Sequence, residues 1–275
     1  MDQLVCVCGE VGEFQQRRIS FGNRTLFLCR SCGTAQLYPY PNADVGIYDR
    51  SEYHCKISKE EYLGYFLVYK EILQRFSLYE PSKRILDFGA GHCCYHEFLL
   101  KDGFTDVHSY EINPHLVEEA RARIPSDNVH SRLEDLKGEF DIIIANHVLE
   151  HIPDLKAPLR RILTEWLRPG GVLILALPNF DSWSRHVLYK RWLGWSPQEH
   201  IWFFTPTSLR RLLESLDGAK VLTVVAEASV NKPYNGFFPN TLFKKIYFHT
   251  LMRFFEAIGK GDQIVSIVQK ARNLT

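Results

Sequence analysis

No apolar run in the sequence is long enough to cross a membrane. The longest apolar stretches lie near residues 140–149 and 171–178, well short of the roughly 20 residues that a spanning helix needs. The first ten residues, MDQLVCVCGE, have neither the basic segment nor the apolar core of a secretion signal. We therefore expect a cytoplasmic protein without a membrane partner.

A surplus of either charge is also missing. The chain has 33 Lys and Arg residues against 32 Asp and Glu residues, for a formal net charge of +1. Such a balance provides no overall positive field, which argues against a nucleic-acid partner. With 275 residues, 45% of them hydrophobic, the chain can bury a full core. We expect a monomer or homodimer with one large domain and a small appendage.

A disulfide framework is not indicated either, because the seven cysteines are odd in number and four of them form two close pairs. Cys6 and Cys8 lie in a C-x-C-G sequence, and Cys29 and Cys32 in a C-x-x-C-G sequence. Four thiolates around one ion predict a structural Zn²⁺ site with no open position; reduced, buried cysteines are the alternative. The metal is expected to supply the folding energy of this short segment. Nearby arginines are expected to offset the thiolate charge: Arg17, Arg18, Arg24 and Arg30.

From about residue 83, strand-like and helix-like segments alternate along the chain. This alternation predicts an α/β fold, with a parallel sheet covered by helices on both faces. The predicted strands are KRILDF, DVHSYE, NVHS, FDIIIAN, GVLILALPN, KVLTVVAEA and DQIVSIVQKA. The predicted helices are HEFLLKDG, PHLVEEARARI, LKAPLRRILTEWLRPGG and PTSLRRLLESLD, together with an earlier helix over residues 57–79.

A glycine turn follows the first of these strands. The strand ends in Asp87, and Gly89 and Gly91 then lead into a helix, which places backbone N–H groups beside a ligand. The next strand ends in Glu111, whose carboxylate suits the two hydroxyls of a ribose. Together these features favour a nucleotide-type cofactor; an ordinary turn between strand and helix is the alternative.

The form of this turn selects among cofactors. The dinucleotide-binding pattern requires a third glycine at the position of Cys94. A phosphate-binding Walker loop requires a Gly-Lys-Ser/Thr sequence, which is absent here. A metal site of His92, Cys93 and Cys94 is a rival, although adjacent cysteines rarely chelate one ion together. The stretch resembles motif I of the class I S-adenosylmethionine methyltransferases, a Rossmann-like family whose third glycine falls at Cys93. Later segments resemble further motifs of this family: 136–154, 167–179, 199–214 and 259–271.

This resemblance covers roughly residues 83–271 and implies a role for individual positions. Asp87 is expected to hold the amino group of S-adenosylmethionine and Glu111 the ribose hydroxyls, while Asn146 and His147 face the sulfonium. The other positions assigned to the cofactor are Gly89, Ala90 and Gly91 at its methionine part, and Ile112 and Leu133 at its adenine. Cysteine at the third-glycine position is small and apolar, so binding is expected to survive.

The cysteine pairs followed by this core resemble a narrower group, bacterial methyltransferases with an N-terminal cysteine-rich zinc domain. Many of these act on nucleotide-linked sugars or other small polar metabolites, which implies a small-molecule acceptor of that kind. The expected domains are a zinc ribbon over 1–45, a helical connecting or lid segment over 46–82 and the methyltransferase over 83–275. Insertions on the acceptor side are expected at 180–203 and 228–260.

Methyl transfer is an in-line displacement in which the protein orients the acceptor and often removes a proton from it. His200 leads the candidates for this base, because Glu199-His200 stands where resembling C-methyltransferases carry an active-site Glu-His pair. Pro197 replaces the tyrosine of that pattern. The other candidates are His147, Glu150 and His151. A reaction without a histidine base is the alternative.

The segment 180–203 holds four of the five tryptophans together with three cations, Arg185, Lys190 and Arg191. Its aromatic faces suit a sugar ring or a base and its cations suit a diphosphate; packing of a capping helix is the alternative. The N/D-P-P-Y/F signature of many amino-group methyltransferases is absent, which favours a hydroxyl or carbon acceptor. The alternatives are O-methylation of a quinone-like phenol, a non-catalytic cofactor-binding module, and an RNA-modifying protein guided by the zinc ribbon.

Overall fold

The computed structural model describes residues 4–40, 59–227, 250 and 253–272. Most of the predicted insertion at 228–260 therefore lies outside the described residues. No described helix is long and apolar enough to cross a membrane. The described residues divide into two compact units: a first unit of 4–40, 149–158, 175–227, 250 and 253–268, and a second unit of 59–148, 159–174 and 269–272. The domain boundaries predicted from the sequence remain predictions.

The elements follow the predicted alternation closely. The strands are β1 (Phe14–Phe21), β2 (Arg24–Cys29), β3 (Ala35–Tyr38), β4 (Ile85–Phe88), β5 (Val107–Tyr110), β6 (Val129–His130), β7 (Phe140–Asn146), β8 (Leu167–Pro178), β9 (Trp202–Phe203), β10 (Ala219–Glu227) and β11 (Gln263–Lys270). The helices are α1 (Lys59–Arg75), α2 (Cys94–Lys101), α3 (Pro114–Arg121), α4 (Lys156–Arg161), α5 (Trp183–Leu188) and α6 (Pro206–Glu214).

The second unit contains a sheet with the strand order β8-β7-β4-β5-β6. Strand β4 pairs in parallel with both β5 and β7, with Ile85 opposite Val107 on one side and Ile142 on the other. All four residues of β4 are buried, as expected for a parallel strand that is covered on both faces. Parallel pairing sends the carboxyl ends of β4, β5 and β7 to the same edge, where the predicted cofactor residues follow each strand.

The first unit contains an antiparallel sheet with the strand order β1-β2-β3-β9. It also contains strands that do not belong to this sheet and that pair in the order β10-β11-β8. In the antiparallel sheet, Ala35 of β3 lies opposite Phe203 of β9. The sheet shares one apolar cluster with the segment 180–203, whose members include Leu26, Leu37, Phe180, Trp192, Trp195 and Phe203. Strand pairing and this cluster therefore also stabilise the N-terminal segment, beside the folding energy that the sequence predicts from the metal.

One helix ends earlier than predicted. The predicted helix through Gly171 ends at Trp166, where α4 continues as one π-helical turn, and β8 begins at Leu167. The ammonium of Lys270 donates to the carbonyls of Thr164 and Leu167 at 3.3 and 2.7 Å, which satisfies carbonyls at the helix end. The sequence Pro-Gly-Gly therefore lies within the strand rather than closing the helix.

Candidate functional site

The glycine turn between β4 and α2 has the left-handed backbone that its sequence predicts. Gly89 and Gly91 have φ angles of +75° and +53°, which glycine adopts without strain. A Cβ atom on Gly89 would lie 2.5 Å from Cγ2 of Val148, so any other residue here would clash. Cys93, in the third-glycine position, is buried with φ 55°. The turn thus keeps a glycine-like backbone even where the side chain is cysteine.

Glu111 follows β5 and is held in place by the turn that it faces. Its Oε2 atom accepts from the backbone N–H of Gly91 at 2.7 Å, and Oε1 accepts from the N–H of Asn113 at 2.8 Å. The Asn113 side chain in turn caps α3 by accepting from the N–H of His115 at 2.9 Å. Each carboxylate oxygen retains a further lone pair, so the arrangement suits two ribose hydroxyls.

Asp87 lies at the bottom of the same turn and is only 1% exposed. Among the described residues, its Oδ2 atom has no hydrogen-bond partner. Burial, and then the nearby charge of Glu111, raise the pKa of this carboxyl to about 8. A buried acceptor without a donor, beside backbone that glycine opens, fits the cationic amino group of S-adenosylmethionine. The residues present therefore fit the methionine part of this cofactor.

Replacement of Asp87 by Asn is expected to stabilise the cofactor-free protein at pH 8 by about 1–2 kcal/mol, or roughly 2–8 °C. The carboxyl ionises near pH 4 in the unfolded chain but only near pH 8 in the folded one. Its contribution to stability is therefore present below about pH 4 and is lost as the pH rises toward 8. Asn removes this pH dependence because it carries no charge to bury.

Differential scanning calorimetry from about pH 5 to 9 measures this effect, with the exposed Asp127→Asn as the matched control. Calorimetric titration of the same Asp87→Asn variant should show weaker cofactor binding, since the amino group loses its counter-charge. A variant that is less stable than the unchanged protein at pH 8 would contradict the assignment of an unpaired buried carboxyl.

The adenine positions are on exposed or half-exposed residues. Ile112 is 46% exposed, which is unusual for a large apolar side chain beside a buried turn, and an adenine ring would cover it. Leu133 is half-buried in the 3₁₀ turn Leu133–Asp135. Ala90 is buried between the two glycines, and its N–H donates to the carbonyl of Tyr110 at 2.9 Å, so its position follows from the end of β5.

Two predicted positions on the sulfonium side follow β7 in the second unit. Asn146 ends the strand, and its Oδ1 atom accepts from the hydroxyl of Tyr69. His147 has φ 54°, a conformation that costs free energy in a residue other than glycine and that is enriched at functional sites. Its ring packs edge-on against Tyr65, with the centroids 6.0 Å apart.

Sequence reasoning missed the tyrosines of α1. Tyr62, Tyr65 and Tyr69 are buried, and their spacing of three and four residues places them on one face of the helix. The hydroxyl of Tyr62 lies 3.4 Å from where a Cβ atom on Gly91 would be. The spacing predicts the helix but not its target, because apolar packing and ligand contact give the same pattern.

The first unit brings together three of the side chains considered for acid–base chemistry. Glu150, His151 and His200 each place one ligand-type atom within 4.8 Å of the others. Glu150 is fully buried and His200 is 7% exposed, and the two imidazole rings meet edge to face with centroids 4.7 Å apart. Glu199 instead accepts from the hydroxyl of Ser196 in its own loop at 3.2 Å. Glu150 thus lies near His200 in this cluster, and the catalytic role expected for Glu199 stays a prediction.

The tautomer of His200 follows from its backbone contact. Its Nδ1 atom lies 2.9 Å from the carbonyl oxygen of Gly194, and a carbonyl can only accept. Nδ1 must therefore carry the proton in the neutral ring, which makes Nε2 the basic nitrogen of this imidazole. The ring is thus oriented as a base requires.

Arg24 holds the loop that carries His200. Its guanidinium is buried, and it donates to the carbonyls of Pro39 at 2.9 Å, Leu37 at 3.2 Å and His200 at 3.0 Å. A fourth donor reaches the carbonyl of Pro197. Four of its five N–H donors are thus directed at backbone carbonyls, and the expectation that this arginine offsets thiolate charge stays a prediction.

The four predicted cysteines form one cluster in the first unit. The Sγ atoms of Cys6 and Cys32 are 3.5 Å apart, those of Cys8 and Cys29 are 3.7 Å apart, and all four lie within 4.8 Å of one another. Four zinc–sulfur bonds of about 2.3 Å in a tetrahedron require sulfur separations of about 3.8 Å. The N–H of Gly33 donates to the carbonyl of Cys29 at 3.0 Å rather than to sulfur, and closes this turn with φ +80°.

Comparisons with known proteins assign the family. Residues 61–222, more than half of the chain, match the family described as "Methyltransferase domain". The ubiquinone biosynthesis O-methyltransferase of Bradyrhizobium sp. (strain ORS 278) is 28% identical over 158 residues, or 51% of this chain and 59% of that protein. The biotin biosynthesis bifunctional protein BioCD of Bordetella avium (strain 197N) is 33% identical over 115 residues, or 38% of this chain and 24% of that protein. The chain thus spans at most 59% of the length of these two relatives.

Solved structures show the same fold. The magnesium protoporphyrin IX methyltransferase of Synechocystis PCC 6803 with bound SAH has a TM-score of 0.52 at 15% identity, over 77% of this chain and 84% of that chain. The complex between the Haloferax volcanii Trm112 methyltransferase activator and a methyltransferase also scores 0.52, at 14% identity over 79% of this chain and 99% of that chain. The family match includes the glycine turn, Glu111 and β7, and it covers more than half of the chain, so the chain belongs to the methyltransferase-domain family.

Proposed function

We propose that the chain transfers the methyl group of S-adenosylmethionine to the oxygen of a small-molecule hydroxyl, with a phenolic, quinone-like acceptor as the first class. The observation that carries this proposal is the cluster of Glu150, His151 and His200, which provides an oriented imidazole beside a buried carboxylate. Such a pair suits removal of a hydroxyl proton during attack on an electrophile.

These residues suffice for the proposed methyl transfer, because His200 can accept the proton that the acceptor loses. The acceptor oxygen attacks the methyl carbon, its proton passes to Nε2 of His200, and the bond between sulfur and methyl breaks to leave S-adenosylhomocysteine. Glu150 favours the imidazolium that forms.

Two observations support a phenolic acceptor over the nucleotide-linked sugar expected from the sequence. Relatives named ubiquinone biosynthesis O-methyltransferase match the chain at 28–32% identity. In addition, Trp192, Trp195 and Trp202 are buried. Their rings therefore pack within the protein, which was the alternative to contact with a sugar ring or a base. The guanidinium of Arg185 lies over the ring of Phe180 with 4.3 Å to the centroid, where it is engaged within its own segment.

We propose in addition that the four-cysteine cluster binds a structural Zn²⁺ ion, which would place the chain in the group with an N-terminal zinc-binding domain. The sulfur separations, all within 4.8 Å, support tetrahedral coordination. Four thiolate ligands leave no open position, so the ion would contribute to folding rather than to chemistry.

Incubation with methyl-labelled S-adenosylmethionine and a panel of acceptors tests the proposed function. The panel pairs catechols and hydroquinones with nucleoside-diphosphate sugars, and mass spectrometry locates the label. We expect label on a phenolic oxygen. Label on sugar carbon or oxygen alone would overturn the acceptor class, and a folded protein that binds no cofactor by calorimetry would overturn the enzymatic proposal itself.

His200→Ala provides the matching variant, with His186→Ala as its control because His186 is exposed on α5. We expect the first substitution to lower the rate of methyl transfer by about 10²- to 10⁴-fold. Its dissociation constant for S-adenosylmethionine should stay unchanged. A rate equal to that of the control variant would remove His200 from the reaction.

A further inference from the structure

Two histidines and one glutamate meet in the first unit at distances that suit a metal ion as well as a proton. Glu150 and His151 come from the 3₁₀ turn Leu149–His151, and His200 comes from the loop before β9. One ligand-type atom from each side chain lies within 4.8 Å of the other two. The ligand atoms bound to one octahedral or tetrahedral ion are about 3–4 Å apart. Small rotations of the three side chains would therefore bring their atoms to the distances that one ion requires.

The backbone that carries these side chains is held on both segments. The N–H of Ile201 donates to the carbonyl of Glu150 at 2.7 Å, and the indole N–H of Trp202 donates to the carbonyl of Ile152 at 2.9 Å. These bonds join the 3₁₀ turn to the loop directly beside two of the ligands. A site whose ligands stand on tied backbone loses little freedom when an ion binds.

The imidazoles have the surroundings of metal ligands. Nδ1 of His200 donates to the carbonyl of Gly194 at 2.9 Å, which is the outer contact that metal-bound histidines usually make through their second nitrogen. Within the described part of the chain, Nδ1 of His151 is buried without a hydrogen-bond partner. A buried ring nitrogen of this kind needs a hydrogen-bond partner or an ion.

We propose that Glu150, His151 and His200 bind one divalent transition-metal ion, separate from the four-cysteine cluster. Two imidazoles and one carboxylate favour zinc, iron, cobalt or nickel over magnesium or calcium. Three protein ligands leave open positions, unlike the four thiolates of the other cluster.

The role of the ion in methyl transfer rests on the proposed function, whereas the binding of the ion does not. An acceptor hydroxyl bound at an open position would lose its proton to water, and its oxygen would then attack the methyl carbon as the bond to sulfur breaks. The ion would take over the part given above to the imidazole of His200. Metal binding itself can be measured without any turnover.

Cobalt titration of the full-length, metal-free protein tests the proposal. We expect about two Co²⁺ ions per chain. The cysteine cluster should give intense sulfur-to-cobalt charge-transfer bands in the near ultraviolet, while the second ion should give only weak visible bands. His200→Ala and Glu150→Gln should lose the second ion and keep the first, and Cys29→Ser with Cys32→Ser should show the reverse.

The exposed His186→Ala serves as the control and should bind both ions. One cobalt ion per chain in the unchanged protein, carrying only thiolate bands, would overturn the proposal. So would second-site binding in His200→Ala that equals the control. If S-adenosylmethionine still binds and His200→Ala abolishes methyl transfer without changing metal content, the proposed function stands and the metal site falls.

Discussion

The double substitution Cys29→Ser and Cys32→Ser is expected to remove the bound zinc and to lower the unfolding temperature by at least 10 °C or so. Isolated zinc fingers gain about 10–16 kcal/mol from their metal. Here the loss should be smaller, on the order of 5 kcal/mol, because β1–β3 also share the apolar cluster that contains Leu26 and Leu37. The segment should therefore loosen rather than unfold completely.

Scanning calorimetry with metal analysis by mass spectrometry checks this expectation. Cys94→Ser makes the same chemical change at a buried cysteine outside the cluster, so it should retain the zinc and most of the stability. Hydrogen exchange adds a local measurement, since the backbone bonds between β2 and β3 should open first. Full zinc content, or an unchanged melting temperature in the double variant, would show that the four cysteines are merely reduced and buried.

Glu111→Gln is expected to weaken S-adenosylmethionine binding by about 100-fold. The carboxylate accepts from the N–H groups of Gly91 and Asn113 at 2.7 and 2.8 Å and would accept from the ribose hydroxyls as well. Glutamine has one acceptor oxygen, so its NH₂ group would face one of these N–H donors. Hydrogen bonds to a charged group contribute about 1.5–3 kcal/mol each, and the loss of one to two of them gives the stated factor.

Isothermal titration calorimetry measures this change directly. Glu118→Gln on the exposed face of α3 is the matched control and should bind as the unchanged protein does. A dissociation constant for Glu111→Gln within about twofold of the control would mean that the ribose does not lie at Glu111, while the fold assignment would still hold.

Sequence reasoning succeeded where the determining contacts are local. The turn from Asp87 to Cys93 needs left-handed backbone at fixed positions, and glycine reports such positions in the sequence itself. The position of Glu111 is also predictable, because one helix and one strand of ordinary length separate it from the glycine turn. The fold and the cofactor class are therefore confirmed, while the individual site residues remain predictions.

Sequence reasoning failed where contacts join distant parts of the chain. Glu199 is next to His200 in sequence, yet Glu150 is the carboxylate that joins the two histidines, because the loop before β9 is bonded to the turn after β7. Trp192, Trp195 and Trp202, for which the sequence left ligand contact and packing open, are buried. An aromatic stretch has the same composition whether it packs inward or outward, so tertiary contacts decide its role.

The four carbonyls held by Arg24 have a consequence for how changes spread through the first unit. Two of these carbonyls belong to the N-terminal segment, at Leu37 and Pro39, and two belong to the loop of Pro197 and His200. One rigid cation therefore gives both segments a common binding partner, and their conformational equilibria are linked through it. A substitution of Arg24 would therefore remove donors from both segments at once, so the backbone beside the cysteine cluster and the loop of His200 share one structural support.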